Sequence, residues 1–143
     1  MSLAEPLTDA LTDTRDPALR RILDEIDRLG LQTNLLELEV QGYTVLPGVL
    51  PPEKVDRARA AILRRVEAKT GRRIDPDTAT AADFNGMQYI AYLLFDDPVF
   101  QEILLEPKPL ALVTWLLGES CLLSSMGCHF RGPGGSPLMV HAD

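Results

Sequence analysis

Proline repeatedly stands where an apolar helical stripe begins in this chain, and glycine where it stops. This punctuation predicts a set of short amphipathic helices. Asp16-Pro17 opens a stripe of Leu19, Ile22, Leu23, Ile26 and Leu29 that Gly30 closes, and Asn34 to Gln41 reads as a shorter helix ended by Gly42. Pro51-Pro52-Glu53 starts a long helix with Val55, Ala58, Ile62, Leu63 and Val66 on one face and Gly71 past its end. Asp97-Pro98 launches Val99 to Leu105, while Pro107 and Pro109 open a further helix through Leu117, stopped at Gly118. Proline loses no hydrogen bond in a first helical turn, where its missing N–H would have no partner. A helix with one apolar face needs a surface to cover that face, so these segments must pack on something.

Extended segments are fewer. Tyr43 to Leu46 reads as a brief strand broken by Pro47-Gly48, Ser120 to Phe130 as a longer strand, and Pro137 to His141 as another beyond the glycine-rich turn 131–135. Met87 to Phe95 is apolar throughout, which fits a buried helix and a buried strand equally. Between Arg72 and Gly86 lies a polar loop whose Asp75-Pro76-Asp77 and Asn85-Gly86 are turn chemistry. Residues 1–15 are small, polar and acidic without a sustained period, and are expected to form a flexible N-terminal arm. Residues 16–143 are expected to form part of a single domain.

A net charge of -7 offers no broad basic surface, so neither nucleic acid nor an anionic membrane is an expected partner. The pairs Arg20-Arg21, Arg64-Arg65 and Arg72-Arg73 alternate with acids and read as solvated helix faces or ends. The longest apolar run, Ile90 to Phe95, is far short of the roughly 20 residues that span a bilayer. Met1 to Thr14 lacks the basic start and apolar stretch of a secretory signal, so a cytoplasmic location is the default expectation. Cys121 and Cys128 are seven apart and would face opposite sides of one strand, which predicts buried free thiols.

His141-Ala142-Asp143 is the segment with the most chemistry. On an extended backbone, residues two apart project to the same side, so an imidazole and a carboxylate point out together. These are two of the three groups in the facial triad that holds Fe(II) while leaving open positions. An ordinary polar chain segment is the plain alternative. His129 could add a ligand from a neighbouring strand, although a strand-end histidine bonded to backbone or water is the commoner case. Cys128 lacks a basic cluster except Arg131 and reads as inert. A zinc hydrolase fits poorly, because no helical His-x-x-x-His is present. Trp115, with Leu112 and Leu116, belongs to an apolar helix stripe expected in the core, and Gln88, Tyr89 and Tyr92 are candidates to line a pocket.

Several landmarks stand in a fixed order. They are Gly42-Tyr43-Thr44-Val45-Leu46-Pro47-Gly48-Val49-Leu50, Pro52-Glu53 with its long helix, Asp97-Pro98-Val99-Phe100, Leu116-Leu117-Gly118, the run 131–135, and His141-x-Asp143. In that order they resemble the phytanoyl-CoA dioxygenase family from about Leu35 onward. The resemblance implies an α+β, helix-rich fold: an N-terminal helical layer and the first strands of an incomplete double-stranded β-helix, a cupin-like jelly roll. It implies Fe(II) as cofactor, 2-oxoglutarate as co-substrate and a small molecule as the hydroxylated substrate. By the same resemblance His141 and Asp143 would be metal ligands, and Ser124 or Ser125 a contact to 2-oxoglutarate.

The family places its second histidine, and the groups that anchor 2-oxoglutarate, downstream of this aspartate. The 143 residues are therefore expected to be inactive as they stand, and their unpaired strand edges to favour self-association. The competing expectation is a non-catalytic helical binding or regulatory domain, its amphipathic helices burying their stripes against one another.

Overall fold

The computed structural model describes residues 16–84, 89–130 and 132–134. Five α-helices, α1 (Pro17–Arg28), α2 (Gln32–Gln41), α3 (Pro52–Thr70), α4 (Pro98–Leu104) and α5 (Pro107–Leu117), dominate them. Two short 3₁₀ helices, Ala81–Phe84 and Leu93–Phe95, and a two-stranded antiparallel sheet of β1 (Tyr89–Ile90) and β2 (Cys128–His129) complete the elements. No helix among the described residues is long and apolar enough to cross a membrane. The chain gathers into two compact units, one of residues 1–50 and 102–122, the other of residues 51–101 and 123–143.

The first unit is built on α1 and α5. The Asp16 carboxylate accepts the Ala18 N–H at 2.9 Å, Pro17 occupies the first turn, and Arg28 pairs with Glu25 at the other end. The face so oriented carries Leu23 and Ile26, which pack with Leu31, Leu35, Ala111 and Leu112 into one core. Each large aliphatic side chain buried there contributes roughly 1.5–3 kcal/mol. Leu46 joins this core at its edge, and Trp115 packs beside it while its indole N–H donates to Glu39 at 2.7 Å. Trp115 is thus half-buried with a polar anchor, and Leu116 beside it is exposed, a wetter stripe than the sequence suggests.

The expected strand at Tyr43 to Leu46 does not form; these residues are irregular. Side chains supply the reason. Thr44 donates its hydroxyl to Glu37 at 2.6 Å, and the Asn34 amide donates to that hydroxyl at 2.8 Å and to the Val45 carbonyl at 3.3 Å. The segment after Gly42 is therefore tied back onto α2 instead of pairing with a strand.

In the second unit, α3 buries Ala61 and Val66, but Val55 is exposed, so the inward stripe starts later than the sequence suggests. Arg64 and Arg65 are exposed, as the solvated-face reading expects, and also bind the turn before α4: Arg64 to Asp97 at 2.7 Å and Arg65 to Asp96 at 3.3 Å. The Asp97 carboxylate also accepts the Val99 N–H at 2.9 Å, so it caps α4 and holds α3 together. Beyond Gly71, the loop is partly ordered by Ile74, which is buried and donates its N–H to Glu67 at 2.8 Å.

Met87 to Phe95 proves to be neither one helix nor one strand where it is described. β1 runs into Tyr92, a non-glycine residue in the left-handed region at φ 62°, which turns the chain into the 3₁₀ helix Leu93–Phe95. Ile90 and Leu93 are buried on either side of that turn. The expected strand from Ser120 to Phe130 also shrinks, to Cys128–His129, leaving residues 121–127 irregular. Among the described residues it pairs as a strand with β1, which is two residues long.

Candidate functional site

Residues 126–130 lie antiparallel to residues 89–93, and residues 132–134 lie against residues 80–84, with bonds beyond the short strands. Leu93 donates its N–H to the Met126 carbonyl at 3.0 Å, Ile90 faces Cys128, Tyr89 faces His129, and Ala81 donates to the Pro133 carbonyl at 3.2 Å. The rings of Phe84 and Phe130 meet edge-on with centroids 5.1 Å apart. Two glycines make this approach possible. At Gly127 an added Cβ would collide with the Tyr89 ring, and at Gly132 it would sit 2.7 Å from the Thr80 carbonyl carbon and 2.9 Å from the Ala81 nitrogen. The segment that leads toward His141 is thus anchored as far as Pro133.

His129 lies on β2 with its ring tilted 42° against Tyr89, the centroids 4.7 Å apart. Its face does not carry Cys121, Leu123, Ser125 and Gly127 as a continuous strand would, because there is no such strand. Among the described residues no three His, Cys, Asp or Glu side chains gather closely enough to hold a metal ion. Burial pushes the Cys128 thiol up from its ordinary value, which keeps it protonated at neutral pH and disfavours a nucleophilic or metal-binding thiolate. Cys121 and Cys128 are both free, and both are half-buried where full burial was expected.

Ser124 and Ser125 lie in the irregular stretch before β2, both exposed. His141 and Asp143 lie outside the described residues, as do the N-terminal arm, Asn85 to Gln88, Arg131 and the strand expected from Pro137 to His141. The structure therefore brings Tyr89, Gly127 and His129 together. Sequence reading missed the Tyr89 contact and the need for Gly127, since neither carries a motif; a glycine inside a strand-like run was the one available signal.

A cleft of about 310 Å³ in the first unit has no part in this arrangement. Ile22, Leu105, Pro107, Leu110 and Ala111 line it, and its polar groups are all engaged. Arg21 grips Glu119 through two bonds of 2.9 and 2.6 Å, Glu25 is held by Arg28, and Thr114 donates to the Leu110 carbonyl. The hydrogen-bonded Arg21 guanidinium holds the Glu119 carboxyl below its ordinary value.

No protein-family model matches the chain, and no solved structure matches it. A curated relative does: the chain is 25% identical over 150 residues to Dioxygenase af480 of Aspergillus fumigatus. The match covers 100% of this chain and 46% of that protein, so the chain spans less than half the length of the relative. The similarity to a dioxygenase runs the whole length of the chain. It therefore takes in both compact units and the segment with His141 and Asp143.

Proposed function

We propose that the chain is part of an Fe(II)- and 2-oxoglutarate-dependent dioxygenase of the phytanoyl-CoA dioxygenase type, acting on a small molecule. The observation that carries this reading is the similarity to a dioxygenase over the full chain, through the His141-x-Asp143 segment. The donor set fits as far as it goes. One imidazole and one carboxylate, two residues apart, are the right chemistry for two of the three protein ligands of a facial triad. Among the described residues no three His, Cys, Asp or Glu side chains form a metal site by themselves.

In this reading His141 and Asp143 would hold the metal. Bound iron, with 2-oxoglutarate as co-substrate and molecular oxygen as oxidant, would turn a substrate C–H bond into C–OH, one oxygen atom entering the product and the other the succinate formed as carbon dioxide is lost. What this chain's own residues contribute is placement. Asp143 would supply negative charge that offsets part of the cation's charge, and His141 would bind through a neutral imidazole nitrogen. Upstream of that pair, residues 126–130 and 133 are held against residues 89–93 and 81 by backbone pairing. Ser124 and Ser125, exposed hydroxyls upstream of β2, are the groups offered to the co-substrate carboxylate.

The test is titration with Mn(II), a paramagnetic stand-in for Fe(II), following loss of the free-ion resonance signal. One weak site is expected on the chain, abolished by His141→Ala and by Asp143→Ala. Uptake that neither substitution alters would overturn the assignment and favour a helical binding module.

A further inference from the structure

We draw no further inference here: the strongest candidate, the exposed apolar side chains of Tyr92, Phe95 and Leu123 around the β1–β2 pair of the second unit, carries no proposal because nothing in the structure shows what covers it.

Discussion

Replacing Gly132 by alanine tests the close approach of residues 132–134 to residues 80–84 most directly. The added methyl would stand 2.7 Å from the Thr80 carbonyl carbon and 2.9 Å from both the Thr80 Cα and the Ala81 nitrogen, all backbone atoms that cannot rotate away. Overpacking of this kind costs about 1–3 kcal/mol. Separating the two segments would also weaken the 3.2 Å bond from Ala81 to Pro133, worth roughly 1 kcal/mol. Against this, alanine restricts the unfolded chain and returns roughly 0.4–1 kcal/mol. The expected net loss for Gly132→Ala is about 2 kcal/mol.

Gly127→Ala collides instead with the Tyr89 ring, whose carbons would lie 2.6 Å from the new methyl. Tyr89 is 43% exposed and can swing outward, giving up its contact with His129, a loss of about 0.5–1.5 kcal/mol that the alanine gain largely offsets. Urea denaturation followed by far-UV circular dichroism should therefore rank Gly132→Ala well below Gly127→Ala, with a midpoint lowered by roughly 1 M for the former. In a Tyr89→Ala background, Gly127→Ala should become neutral or stabilising, a coupling that a double-mutant cycle measures. Equal, negligible effects of the two glycine substitutions would refute the packing derived for this pairing.

Three further outcomes are expected. Tyr92→Gly relieves a left-handed backbone at a residue that is 65% exposed, so thermal or urea unfolding should show a gain of up to about 1 kcal/mol; a loss would mean that the Tyr92 ring is held in place by contacts. Asp16→Ala removes the cap on α1 and should cost about 1 kcal/mol in the same assay, whereas Asp16→Asn should retain most of it. Because burial raises its thiol, Cys128 should react with iodoacetamide at pH 8 more slowly than glutathione does, as followed by peptide mass spectrometry; equal rates would show an accessible, ordinary thiol.

Local signals carried the helices. Proline in the first turn and glycine after the last act within one or two turns of backbone, so the bounds of α1, α3, α4 and α5 could be read almost to the residue. α2 starts two residues earlier than Asn34 suggests, since no side chain caps it and the start is left to packing. For the candidate site, residue order and the spacing of His141 and Asp143 were legible because a pair two apart is a property of the chain itself. The contact between Tyr89 and His129 was not, because nothing near either residue encodes it.

The amino-acid order alone thus determined a helix-rich chain, its helix ends, its acidic charge and an imidazole and carboxylate in close succession. Tertiary structure decided where strands exist. A strand forms only where another backbone satisfies its N–H and C=O groups, so the pattern from Ser120 to Phe130 yields two strand residues opposite β1, and Tyr43 to Leu46, tied to α2 by Thr44 and Asn34, yields none. Which glycines are indispensable was likewise settled by proximity. Gly127 and Gly132 matter because distant segments come too close to admit a methyl group, a distance that no local pattern records.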